Sequence, residues 1–177
     1  METILAVETY LAAAAQTNKF VDSKMDIGTS NKFINNFWGT PARVQCVAET
    51  RQSIVKELKD KQPGVAMGAD PVKIMVDTWA YWAASNGCGN CGEQSAIAFV
   101  YLREKFKAFP IDWMQIGSFS HGFVILGRLS VTNPADSSTW NQEAVICDPY
   151  YGEACVAKAS PRLRGKTIGL LYREEQA

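Results

Sequence analysis

A chain of 177 residues with 47% hydrophobic and 20% charged residues has the composition of one folded domain around a single core. Its 18 Lys and Arg balance 18 Asp and Glu, so net charge gives no support to a nucleic-acid partner or a polybasic membrane role. Five cysteines are an odd and sparse set rather than a disulfide framework, so at least one thiol is expected to be free. No apolar run reaches the length of a membrane span, and the opening Met1 to Glu8 is acidic where a Sec signal peptide is basic. The expected location is the cytoplasm of the producing cell, or export from it by a specialised system.

Residues 3 to 16, rich in Ala and Leu, predict a first helix, and Asp26 to Asn31 a loop. Phe33, Ile34, Phe37 and Trp38 form a short aromatic cluster. Thr40-Pro41 has the form of a helix start with Thr40 as N-cap, and Val44, Val47, Ala48, Ile54, Val55 and Leu58 then recur at three- and four-residue spacing up to Gln62-Pro63-Gly64. Asp70-Pro71 repeats the start signal, and the next helix ends at Asn86-Gly87.

The stretch Gly87-Cys88-Gly89-Asn90-Cys91-Gly92-Glu93-Gln94-Ser95 follows, with a mostly apolar run to Leu102 behind it. It reads as a glycine loop that delivers Cys91 to the start of a buried helix, where free N–H groups and the positive dipole end favour thiolate over thiol. After Pro110 the pattern changes to strands around Trp113 to Ile116, His121 to Leu129 and Ala144 to Cys147. Val156 and Ile168 to Tyr172 are expected as edge strands. The predicted class is α+β, a single domain over residues 1–177, helical through residues 1–85 and carrying the cysteine helix and an antiparallel sheet in residues 86–177.

His121 is the only histidine. If the strands on either side of the loop 132–138 pair as a hairpin folded about Pro134, His121 faces Asp148. A carboxylate there would accept from one imidazole nitrogen and leave the other for Cys91, which assembles the thiol, base and orienting group of nucleophilic catalysis. The backbone N–H of Cys91 is the safest oxyanion donor, with Asn86, Asn90 and Gln94 as side-chain candidates. Asn141, Asp136 and Glu153 stand behind Asp148 for the third role. Trp79, Trp82, Trp113 and Tyr150 are expected in the core or the cleft wall.

Cys88-Gly89-Asn90-Cys91 at a helix start, His121 opening a Phe-Val-Ile-Leu strand, and Asp148 followed by Pro-Tyr resemble the papain-like and transglutaminase-like cysteine hydrolase superfamily. The resemblance spans about residues 85 to 155, and the Gly-Asn-Cys-Gly-Glu form is most similar to bacterial effector and toxin domains. It implies a papain-like fold and a Cys91, His121, Asp148 triad that acts without a cofactor. The implied partner is a host protein that presents a glutamine side chain for deamidation or transamidation, and the chain itself is expected as a monomer. Two departures, Gly92 after the nucleophile and Ser85 six residues before it, leave the oxyanion hole open.

A short C-terminal sheet builds a short slot more readily than a long groove, which favours a glutamine carboxamide over a peptide bond. Cleavage of peptide bonds by the same acyl-enzyme is the alternative. A zinc-stapled or non-enzymatic binding domain is the rival of another class, with Cys88, Cys91, His121 and Cys147 or Cys155 as the thiolate-rich set. Cys88 alone could also be a packing, redox or resolving thiol.

Overall fold

The computed structural model describes residues 2–28, 41–66, 68–118 and 120–175. The expected Thr40 cap and the aromatic cluster at Phe33 to Trp38 lie outside them. Among the described residues five helices come first, α1 (Glu2–Ser23), α2 (Pro41–Asp60), α3 (Gln62–Ala66), α4 (Pro71–Asn86) and α5 (Cys91–Tyr101), the last running on into a π turn Leu102–Phe106. Five strands follow, β1 (Ile111–Ile116), β2 (His121–Leu126), β3 (Val145–Asp148), β4 (Glu153–Val156) and β5 (Ile168–Glu174). They form one antiparallel sheet in the order β4-β3-β2-β1-β5, so the expected α+β class holds.

The helix boundaries follow the punctuation of the sequence. Asp70 caps α4 by accepting from the backbone N–H groups of Val72 and Lys73 at 2.8 and 3.2 Å, and Pro71 occupies the first turn. Gly87 ends it at φ 68°, a left-handed conformation that a side chain would penalise. α1 extends past the predicted Gln16 to Ser23, because Val21 is fully buried and Phe20 stacks on Tyr101 of α5 at 3.8 Å between ring centres. Tertiary packing there outweighs the polar run Gln16 to Lys19 that interrupts the local pattern. Among the described residues no helix is long and apolar enough to cross a membrane.

The helices cover one face of the sheet. Ala96 to Phe99 of α5 and Leu102 of the π turn pack with Val76, Ala80 and Ala83 of α4 and with Trp113, Val124, Val145 and Cys147 of the strands. The opposite face is closed by loop residues, Trp140, Ala157 and Leu163, over Met114, Phe123, Ile125 and Ile146. At the sheet end far from His121, Asp112 accepts from Arg128 at 2.7 Å and from Arg173 at 2.9 Å. Burial pushes the Asp112 carboxyl up and the two guanidinium groups pull against that, the usual balance of a desolvated ion cluster.

Cys88 is not a free thiol: it is joined to Cys46 of α2 by a disulfide across 42 residues of chain. The free cysteines are Cys91, Cys147 and Cys155. The sparse set with free thiols is as expected, but the single cross-link was not read from the sequence, which separates Cys46 and Cys88 by two helices whose packing brings them together. The cross-link ties α2 to the loop that delivers Cys91. Closing a loop of this size is worth about 3–4 kcal/mol in the chain-entropy view. The paired substitution Cys46→Ala, Cys88→Ala should therefore lower the melting temperature by about 6–12 °C in calorimetry. It should leave Cys91 reactive toward iodoacetamide, and an unchanged melting temperature would mean the bond contributes nothing in solution.

Candidate active site

Cys91 is the first residue of α5, half-buried at the mouth of a cleft. The loop before it is held by a capping box in which the Glu93 carboxylate accepts from the Asn90 backbone N–H at 2.9 Å and the Asn90 side chain faces the Glu93 backbone. Glu93 is wholly buried and paired by Arg51 of α2, whose Nε donates to it at 2.7 Å. A buried carboxylate is tolerable here because it has a cation, a backbone donor and a helix N-terminus around it.

Two glycines let β2 and α5 approach closely. A Cβ on Gly122 would lie 2.7 Å from Ser95 Oγ, 3.1 Å from Gly92 Cα and 3.2 Å from the Cys91 carbonyl. One on Gly92 would lie 2.9 Å from the Trp79 ring, so a side chain there would displace the indole. This contact sets His121, the residue before Gly122, beside the thiol.

The β2–β3 ladder pairs Val124 with Cys147, Ile125 with Ile146 and Leu126 with Val145. That register differs by two residues from a hairpin folded about Pro134, so Asp148 sits diagonally from His121 rather than opposite it. Diagonal neighbours on one face are still within side-chain reach. The His121 Nε2 to Asp148 Oδ2 distance is 2.6 Å, and Asp148, wholly buried, also accepts the Tyr151 N–H at 3.3 Å.

His121 and Cys91 are hydrogen-bonded, so the imidazole bridges thiol and carboxylate. Burial works against a charged imidazole, but the bonds to Asp148 and Cys91 prevail and raise its pKa to about 9. Burial also opposes a charged sulfur, yet His121 and the N–H groups of Gly122 and Gly92 hold the Cys91 thiol below its ordinary value. Both shifts favour the charged forms, a thiolate beside an imidazolium. Cys155 is pushed the other way, to about 11, by burial and by Glu153, and burial drives the Cys147 thiol further up still.

The structure brings Cys91, His121 and Asp148 together and places the three side-chain oxyanion candidates elsewhere. The Asn86 amide donates to Thr50 Oγ1 at 2.9 Å, Asn90 is used in the capping box, and the Gln94 amide donates to the Gly89 carbonyl at 3.0 Å. Each is consumed in folding the loop and α5. The alternates for the third role are also remote in function: Asn141 bonds the backbone of Gly127 and Leu129, Asp136 caps a 3₁₀ turn, and Glu153 pairs with Arg162. Cys88 cannot supply a zinc thiolate while it is bonded to Cys46, and no metal-ligating cluster occurs among the described residues.

The cleft has a volume of about 520 Å³. Its floor is Cys91, Gly92, His121 and Gly122, and its walls are Ile54 and Leu58 of α2, Met75 and Trp79 of α4, Trp113 and Gln115 of β1, and Leu171 of β5. Trp79 meets Trp113 edge-on at 5.8 Å, and the Trp113 indole donates to Ser95 Oγ at 2.8 Å. Of the four aromatics expected in the core or the cleft wall, Trp79 and Trp113 line the cleft, Tyr150 is buried edge-on to the His121 ring, and Trp82 lies outside the cleft, hydrogen-bonded to Glu57. Arg51 and Gln115 were not foreseen. The only sequence signal for Gln115 is its place two residues after Trp113 on the same strand face. Its Oε1 is buried and without a hydrogen-bond partner among the described residues. Such an acceptor is costly unless something enters the cleft to meet it.

Asp148→Asn tests the relay at its least exposed member. It should lower kcat by roughly 10²–10⁴, because the imidazole loses the group that fixes its tautomer and charge. Alkylation of Cys91 should persist, and steady-state kinetics equal to wild type would move the third role to another residue.

The chain matches no protein-family model, no curated protein and no solved structure.

Proposed function

We propose that the chain is a thiol-dependent amide hydrolase of papain-like architecture, with Cys91 as nucleophile, His121 as acid and base, and Asp148 as the group that orients the imidazole. The observation that carries this reading is the hydrogen-bonded series from Cys91 through His121 to buried Asp148, with the thiol lowered and the imidazole raised. The thiolate adds to an amide carbonyl carbon, and the resulting oxyanion faces the Cys91 N–H at the helix start. The Gln115 carboxamide, in the same cleft, is the candidate side-chain partner for the bound amide. Collapse breaks the C–N bond, the amine or ammonia departs with the proton of the imidazolium, and a thioester remains. Water then adds to the thioester with neutral His121 taking its proton, and the thiolate leaves. An amine in place of water would give transamidation.

Glutamine deamidation of a host protein, by a domain of bacterial effector type, is the substrate reading that the resemblance and the short sheet favour. The cleft favours a second one. At about 520 Å³ with mostly apolar walls it has room for a bulky side chain beside the reacting carbonyl, as a peptidase subsite does. Incubating the protein with a cell lysate and scoring released ammonia, new cross-links and new N-termini separates the outcomes. Ammonia without new N-termini is expected for deamidation, new N-termini without ammonia would replace that choice by the peptidase reading, and none of the three would remove the hydrolase reading.

A further inference from the structure

Three cations of α2 share one face. Gln52, Val55, Lys56 and Lys59 stand at i, i+3, i+4 and i+7 and, with Arg51, line a shallow surface depression next to the cleft. Arg51 and Val55 belong to both, so the basic strip begins at the mouth of the active site. Of the acidic residues, Glu49 takes a bond from Gln45 on the face toward Trp82 and Asn86 and Glu57 pairs with Lys61, while exposed Asp60, four residues after Lys56, borders the strip at the end of the helix. Lys56 and Lys59 have no ion pair or hydrogen bond among the described residues. Arg51 is tied to Glu93 through Nε at 2.7 Å and Nη2 at 3.4 Å, yet its side chain stays largely exposed and lines both the cleft and the depression. Val55 is 52% exposed in the middle of this strip. In a chain whose formal charges cancel, one helix face that carries three cations beside an apolar pocket is a local feature rather than a general one.

We propose that the cleft and this face of α2 form one recognition surface for an acidic polypeptide segment, in which a bulky apolar side chain enters between Ile54, Trp79 and Leu171 while neighbouring carboxylates meet Arg51, Lys56 and Lys59. The inference rests on the thiol-hydrolase reading and names the class of segment that the site takes. It applies whether the amide attacked is a glutamine side chain or a peptide bond. The apolar anchor supplies affinity through burial, and the cations supply steering and orientation along the helix. Arg51 joins the two regions because its side chain lines both while Glu93 anchors the guanidinium.

The probes are three peptides that carry an iodoacetyl group at either end, with the bodies Leu-Asp-Glu, Leu-Asn-Gln and Leu-Lys-Lys. Rates of Cys91 alkylation are read by mass spectrometry at low salt, with iodoacetamide as the small neutral reference. The acidic peptide should label Cys91 about tenfold faster than the lysine peptide, with the amide peptide between them. That preference should shrink as salt is raised. The double substitution Lys56→Glu, Lys59→Glu lies on an exposed face outside the catalytic machinery. It should reverse the order of the peptides and leave the iodoacetamide rate unchanged. Equal rates for the three peptides at both attachments, or a preference that survives the charge reversal, would overturn the proposal. Failure of the hydrolase reading has a different signature, since Cys91 would then react with iodoacetamide no faster than Cys155.

Discussion

Cys91→Ala should lose turnover by roughly 10⁴-fold or more, the loss expected when the group that forms the covalent intermediate is removed. The change should be nearly silent in stability. Cys91 is half-buried at a helix start with its sulfur toward the cleft, so removing it leaves no sealed cavity in the core. Cys91→Ser is the stricter form of the test, because the first turn of a helix accepts serine and the side chain keeps its approximate size. A hydroxyl has no thiolate-like state for His121 to stabilise, so its turnover should also be lost. Both variants should melt within a few degrees of wild type, while Cys88→Ser, which removes only the cross-link, should keep measurable turnover. If Cys88→Ser were inactive and Cys91→Ser active, the nucleophile would be misassigned.

His121→Ala should be as damaging as loss of the thiol. No second imidazole exists to take over, and both halves of the reaction require a proton to be carried, first to the departing amine and then from the attacking water. The pH dependence follows from the same residue. With its pKa raised to about 9, His121 is protonated at neutral pH, so turnover in wild type should fall as pH passes about 9 and the acid is lost. Alkylation of Cys91 needs only the thiolate and should not fall there. Stability follows the same pH range. A histidine raised above its unfolded value near 6.5 contributes stability that is fully present below that pH and is lost as pH rises through about 9. His121→Ala should remove this component of the dependence, and near-wild-type turnover in that variant would end the case for a thiol–imidazole pair.

Much of this site was legible in the sequence because its components are local. Gly-Asn-Cys-Gly-Glu contains its own start signal, cap and candidate nucleophile, and Gly122 with the polar Ser118 and Ser120 marks His121 as a strand mouth rather than a satisfied core histidine. Asp148 was found through a hairpin symmetry that was two residues out of register, and it succeeded because the diagonal position lies on the same sheet face. The oxyanion candidates went astray for a physical reason. Asn86, Asn90 and Gln94 are near Cys91 in sequence, but a tight loop and a helix start have their own polar groups to satisfy, and these side chains are spent there. Residues that reach the cleft from distant elements left no pattern. Arg51 is the exposed cation of an amphipathic helix until α2 packs across the mouth of α5, and Gln115 is one polar residue in a strand until Gly122 and Gly169 flank it. The Cys46–Cys88 cross-link belongs to the same group, since the packing of α2 on α4 brings its ends together.

The central claim is that Cys91 and His121 exist as a charged pair held by Asp148, and the single histidine makes it directly measurable. Titration of the imidazole ring protons by NMR in the wild-type protein gives one set of signals from one residue. The account predicts an apparent pKa of about 9, whereas an imidazole that titrates near the ordinary value of about 6.5 would contradict it.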